Sequence, residues 1–172
     1  MRDVGDLVGM RAPSLYSHFE SKLAIYDAMF EQAWSEYERA ERDAMAAEDP
    51  SSSPRTILKS RSHLFFDFAV ADLARYQLMN QRSVPGFTPS PESFAPSRRV
   101  VQLGIDLMAS MGVRDRGDVE IWIALLSGLV DQQLANEPGG HSRKDLIDRA
   151  IDMWADAVGL EPNARSRARR TR

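Results

Sequence analysis

The 172-residue sequence contains no cysteine. Disulfide frameworks, thiolate metal sites and cysteine nucleophiles are thereby excluded, and the absence fits a reducing compartment. Histidine is scarce: His18, His63 and His141 lie in three separate segments. His63 and Asp67 stand four residues apart, a spacing that puts two metal ligands on one helical face. Two ligands do not make a site, and no metal is expected. No uncharged apolar run approaches the roughly 20 residues that span a bilayer, so no membrane partner is expected. The opening residues carry acids where a secretion signal needs an apolar stretch, which favours a cytoplasmic location. Glycine-rich phosphate loops, a nucleophile elbow and paired catalytic carboxylates are also missing. The chain is therefore not expected to be an enzyme, and no cofactor is expected.

What is present is ordinary globular material. Hydrophobic residues make up 43% and charged residues 27%, enough apolar content for a core. The formal net charge of −3 argues against general binding of polyanions. The charge is unevenly spread. Residues 1–50 hold five Lys/Arg and eleven Asp/Glu, a net of −6, whereas residues 161–172 hold five Arg and one Glu, a net of +4. That tail has no apolar periodicity and reads as a basic disordered arm, either solubilising or touching phosphates.

Apolar residues recur at helical spacing throughout, with no convincing alternation of the strand type. Short helices are expected at 2–8 and 11–18 on either side of Gly9, with Pro13 in the first turn of the second, where proline is tolerated. Ser21 reads as the cap of a long helix from Lys22 to Ala46, whose apolar stripe is Tyr26, Met29, Phe30, Ala33 and Tyr37. A Pro/Ser loop follows. The next helix, Arg55 to Ala71, is expected to turn Ile57, Leu64, Phe65, Phe68 and Ala69 inward, and a further segment runs from Leu73 to Gln81. Residues 82–96 hold four prolines and two phenylalanines, and loops of that length often act as lids or binding segments. Ser97 is expected to start another helix and Gly112 to stop it. Asp115 to Asn136 makes the next. Ser142 is expected to cap the last, which runs to Val158.

The helix from Asp115 is apolar nearly all round between Val119 and Val130, and the last helix carries two adjacent apolar stripes. Such helices must be covered on more than one side. Either they form a buried central hairpin, or one stripe meets a second copy of the chain about a two-fold axis. A homodimer is the preferred reading, with Leu126, Val130, Leu134, Leu146, Ala150 and Met153 at its interface. A second group holds the aromatic and flexible apolar side chains of the middle: Phe65, Phe68, Met79 and Phe87, then Leu103, Leu107, Met108 and Trp122, with Phe94 beside them. They either pack as core or line a ligand cavity. Methionine adapts to irregular ligands. Few charges interrupt these stretches, so a small apolar or aromatic effector is the expected occupant.

The most specific signal lies in the first 22 residues. A helix-turn-helix needs a small residue where its helices cross, a turn residue that accepts positive φ, and an apolar anchor in the second helix. Gly5, Gly9 and Leu15 meet those demands. The second helix would present Arg11, Ala12, Pro13, Ser14 and Ser17 to a major groove, with Tyr16, His18 and Lys22 near the phosphates. Arg2 is counted with this DNA-binding set. The stretch from Arg2 to Phe30 resembles the TetR family of bacterial transcriptional repressors. It has an Arg-Asp-hydrophobic opening, Gly9 in the turn, then Leu15-Tyr16-x-His18-Phe19-x-Ser21-Lys22. The resemblance is close over about the first 30 residues, and beyond them it is one of architecture. It implies a homodimer with two interface helices per subunit, a small-molecule pocket, and a near-palindromic operator released when the ligand binds. By position it implies base reading for Arg11, Ala12, Pro13 and Ser17, and phosphate contacts for Tyr16, His18 and Lys22.

Members of that family carry a further helix, and usually a basic arm, before this point. The motif is therefore expected to be truncated here, with native residues upstream of Met1. Met1–Lys22 carries three basic and three acidic residues, so on its own it is expected to hold DNA weakly or not at all. The expected architecture is all-α. A truncated helix-turn-helix segment and its linking helix (1–46) lead into a helical ligand-binding and dimerisation domain (47–160), followed by the basic tail (161–172). The expected function is that of a dimeric TetR-like repressor with a DNA operator and a small-molecule effector as partners. The competing reading is a helical ligand-binding or dimerisation protein without DNA binding.

Overall fold

The computed structural model describes residues 21–161. Within them lie six α-helices and no strand: α1 (Lys22–Ala46), α2 (Pro54–Val70), α3 (Leu73–Asn80), α4 (Ala95–Ser110), α5 (Arg116–Asn136) and α6 (Ile147–Ala157). A 3-10 turn, Lys144–Leu146, precedes α6. The all-α expectation holds. The short helices expected at 2–8 and 11–18, and the tail from 162 onward, lie outside the described residues.

Polar residues ahead of the periodic runs set four of the starts. Ser21 is extended, and its hydroxyl accepts the Ala24 N–H at 3.1 Å. Ser53 does the same for Thr56 at 3.2 Å, with Pro54 in the first turn. Asp72 accepts from Arg75 at 3.0 Å and Asp115 from Gly117 at 2.7 Å. Each satisfies a donor that the helix leaves open at its N-terminus. Two starts differ from the sequence expectation. Helix α4 begins at Ala95 rather than Ser97, because Pro96 supplies a pre-set first turn. Ser97 instead gives its hydroxyl proton to the Phe94 carbonyl at 2.8 Å. Ser142 does not cap α6 either. Its N–H goes to the Glu137 carboxylate at 3.3 Å, and the 3-10 turn delays the regular helix to Ile147. Gly112 takes φ +92° just past α4, the left-handed conformation of a helix stop.

Helix α2 lies against α1, α3, α5 and α6. Along its length only Thr56, Ser60 and Asp67 are exposed. Leu58 and Phe66 enter the main core, where they join Met108 of α4, Leu126 and Val130 of α5, and Ile147 and Ile151 of α6. Ile57, expected inward, is only half-buried, because the true inward stripe runs through its neighbour. On its other side α2 offers Leu64, Phe65 and Phe68 to a smaller cluster built on Ala33 and Tyr37 of α1 and Met79 of α3. Two apolar clusters thus share one central helix.

A buried polar network fixes α1 to α2. Arg61 is 3% exposed. Its guanidinium donates to the Glu41 carbonyl and the Glu48 carboxylate, each at 3.0 Å. The Tyr37 hydroxyl donates to Glu41 at 2.6 Å. Burial pushes the Glu41 carboxyl above its ordinary value, against the opposing pull of the Tyr37 hydrogen bond and the Arg61 charge. Removing the guanidinium takes a donor from the Glu41 carbonyl and the Glu48 carboxylate and leaves a void at a buried position. Arg61→Ala is expected to destabilise the fold by about 3 kcal/mol or more. This would be read as a lower urea midpoint at unchanged slope.

Candidate functional site

The proline-rich stretch after α3 folds back over the first turns of α1. Proline fixes part of its path: Pro85 and Gly86 form a tight turn in which Phe87 donates to the Val84 carbonyl at 3.2 Å. Gly86 sits at φ +74°, a conformation glycine adopts without strain. A second turn, Ser90 to Ser93, is tied to α1 by one carboxylate. Asp27 accepts the Ser90 N–H at 2.8 Å and the Ser93 hydroxyl at 2.7 Å. The two serines also bond each other. Burial works to raise the Asp27 pKa, but the hydrogen bonds from Ser93 and Ser90 outweigh it and hold the carboxyl below its usual value.

Between this loop, α1, the end of α3 and the start of α4 lies a cavity of about 540 Å³. Its apolar wall includes Phe30, Leu78, Met79, Val84, Phe87 and Phe94. The Phe30 and Phe94 rings stack nearly parallel, 6.0 Å apart and 10° inclined, and Phe87 meets Phe30 edge-on at 6.2 Å. Asn80, Gln81, Arg82 and Arg98 supply its polar side. The volume lies in the range of pockets that bury a drug-sized ligand.

Of the residues expected to bind a ligand, Met79 and Phe87 line this cavity, as does Phe94. Phe65 and Phe68 pack beside it against Tyr37, with centroids 5.8 and 5.1 Å away. Leu103 is half-buried along α4, outside the cavity wall. Leu107, Met108 and Trp122 belong to the main core cluster, so the cavity lies nearer α1 than expected. Phe30 had signalled only a core stripe. Arg82 and Arg98 gave no sequence signal, since arginines around a proline-rich loop resemble ordinary solvated surface.

His63 and Asp67 do not converge. His63 Nε2 meets Asp148 at 2.8 Å, and Asp67 pairs with Lys144 at 2.6 Å. Both contacts tie α2 to the last helical segment.

The interface residues separate into two sets. Leu126 and Val130 are 3% and 0% exposed inside the subunit core, so they are not open to a second copy. Leu134 packs on the same core, and Ala150 is half-buried. Leu146 and Met153 are exposed, Met153 by 63%. On α5 the exposed residues include Ile121, Ala124 and Gly128, spaced three and four apart and therefore on one face. A methyl group added at Gly128 would meet nothing within 4 Å.

Arg2, Arg11, Ala12, Pro13 and Ser14, with Tyr16, Ser17 and His18, fall outside the described residues. Lys22 is the first residue of α1 and is exposed. Its ammonium lies 5.6 Å from the centroid of the Tyr26 ring.

No family model matches the chain. The HTH-type transcriptional activator FasR of Mycolicibacterium smegmatis is 26% identical over 117 residues, which are 68% of this chain and 51% of that protein. The chain thus spans about half the length of the curated relative it matches. The solved structure of SCO4313, assigned as a regulatory protein, superposes with a TM-score of 0.67 at 15% identity, over 90% of this chain and 84% of that one. The chain is thus similar in sequence to an HTH-type transcriptional regulator, and its fold is that of a solved regulatory protein. Both are described as regulators. No described helix is long and apolar enough to cross a membrane.

The Asp27 tether gives a direct prediction. Asp27→Ala should raise hydrogen exchange at the Ser90 amide by about tenfold, the loss of a charge-assisted bond. The wild-type carboxyl has a folded pKa below its unfolded value of about 3.9. Its contribution is therefore complete above that value and is lost as pH falls through the folded pKa. Ser90 protection, corrected for intrinsic exchange, should stay level from neutral pH to about 5 and decline only in stronger acid.

Proposed function

We propose that the chain is a TetR-like transcriptional regulator, a dimeric repressor that binds a near-palindromic operator and is released by a small apolar or aromatic ligand. The observation that carries this reading is the coupling of the cavity to α1. Phe30 is part of the cavity wall, and Asp27, less than one turn earlier, holds the loop that closes it. The same helix begins at Lys22, directly after the helix-turn-helix-like stretch. A ligand that moves the loop therefore bears on the helix leading to the DNA-reading residues. Two sites linked by one rigid element meet the requirement for a coupling free energy between them. Arg11, Ala12, Pro13, Ser14 and Ser17 are assigned to base reading. Arg2, Tyr16, His18 and Lys22 are assigned to the phosphates.

The homodimer belongs to the same proposal. Its contact is assigned to the exposed α5 face at Ile121, Ala124 and Gly128, together with Leu146 and Met153. The competing reading, a helical ligand-binding or dimerisation module without DNA binding, draws on the even charge of Met1–Lys22, three basic against three acidic residues.

A genomic-fragment pull-down tests the DNA role, using this chain and a form extended upstream in its own reading frame. Enrichment of a palindromic fragment, abolished by Tyr16→Ala with effector binding intact, is the expected result. Folded dimers of both forms that enrich nothing would favour the module. Gly128→Leu tests the interface. Gly128 is exposed and a Cβ added there meets nothing within 4 Å, and leucine is the better helix former by up to about 1 kcal/mol. The variant should therefore keep its helical content yet sediment as a monomer.

A further inference from the structure

The cavity lining contains two arginines and no carboxylate, in a chain whose formal charge is −3. Building on the effector reading above, we infer that the cavity takes an organic anion, a carboxylate head on an aromatic or aliphatic body. Several arginines elsewhere in the described fold are matched to acids. Arg55 pairs with Asp156, Arg61 with Glu48, and Arg99 with Glu38. Neither arginine of the cavity lining is matched in this way. The Arg82 side chain is exposed and makes no ion pair among the described residues. Arg98 gives one N–H to the Pro91 carbonyl at 3.0 Å and lies 5.6 Å from the centroid of the Phe94 ring. A guanidinium carries five N–H donors in a planar fork, so most of the donors of Arg98 remain for a ligand.

The geometry divides the site into a head region and a body region. Phe30, Met79, Phe87 and Phe94 make an apolar bed that excludes water from a ring or an alkyl chain. Arg82 and Arg98 border the same cavity with donors suited to a carboxylate, which a guanidinium can bind through two parallel hydrogen bonds. The apolar bed lowers the local dielectric and so strengthens those bonds. A neutral ligand of the same shape gains the bed but nothing from the guanidiniums. A cation of that shape meets two like charges. The expected order of affinity is anion, then neutral, then cation.

Calorimetric titration of the 172-residue chain with three ligands of one shape tests this: 1-naphthoate, 1-naphthalenemethanol and 1-naphthylmethylamine. Octanoate and octanol repeat the comparison on an aliphatic body. The carboxylates should bind at least about tenfold tighter than the alcohols. Arg82→Gln and Arg98→Gln should each remove most of that preference while changing alcohol affinity less than about twofold. Both side chains are exposed, and unchanged thermal melting would verify that the variants fold. Phe30→Ala should weaken every probe. Carboxylates and alcohols that bind equally, with Phe30→Ala still weakening both, would overturn the anion inference and leave the effector reading standing. If no probe of either body binds, the effector reading falls along with it.

Discussion

Helix α2 is the constraint on which the described fold depends. A helix with one apolar face can rest on a single neighbour. This one buries Leu58 and Phe66 on one side and presents Leu64, Phe65 and Phe68 on the other, so it must be enclosed. It touches all four of its neighbours α1, α3, α5 and α6. The single strongly polar residue it buries, Arg61, is satisfied by α1 and by the turn that follows α1. That placement fixes the long helix in position against α2 as well as in tilt. An unpaired charge at this depth would be far more damaging than any single lost apolar contact.

Two further contacts then decide what α1 can transmit. Glu38, 8% exposed, takes hydrogen bonds from Arg99 of α4 and from Arg42 one turn away. The Arg99 bond and, against burial, the Arg42 bond hold its carboxyl below the usual value. Toward the other end, Asp27 holds the loop. The middle of α1 is therefore locked to α2 and α4, whereas its first turns are locked mainly to a loop that forms a cavity wall. A perturbation at the cavity therefore bears first on those turns, through Phe30 and Asp27.

Much of this was legible in the residues. The start of α1 follows from Ser21, a short polar side chain placed one residue before an apolar period. The start of α5 at Arg116 follows in the same way from Asp115. Where a cap of that kind was read in the wrong place, another local feature had taken over the start: Pro96 for α4 and the 3-10 turn for α6. The cavity was legible only in part. Periodicity shows that Met108 and Trp122 are apolar and helical, but not which way α4 and α5 are rotated, and both side chains proved to face the main core. Phe87 was legible because a phenylalanine in a proline-rich loop has few places to go other than back onto the domain. On α5 the sequence is apolar nearly all round. No stripe distinguishes Val130, which is wholly buried, from Ile121, which is exposed. Only the packed neighbours set that phase.

Gly128 carries a consequence of a different kind. A glycine in the middle of a helix, on its exposed face, costs about 1 kcal/mol relative to alanine, through the freedom it must give up on folding. No bend, turn or positive φ at this position requires it. A solitary subunit carries that cost with no local compensation. In the proposed dimer the missing side chain permits close approach of a second backbone, and the compensation arises in the contact. Folding and association are then linked by mass action, and the stability of each subunit rises with the number of copies in the same volume. Dilution would act on this protein as a mild denaturant, and the abundance of the chain would itself become a variable in its regulation.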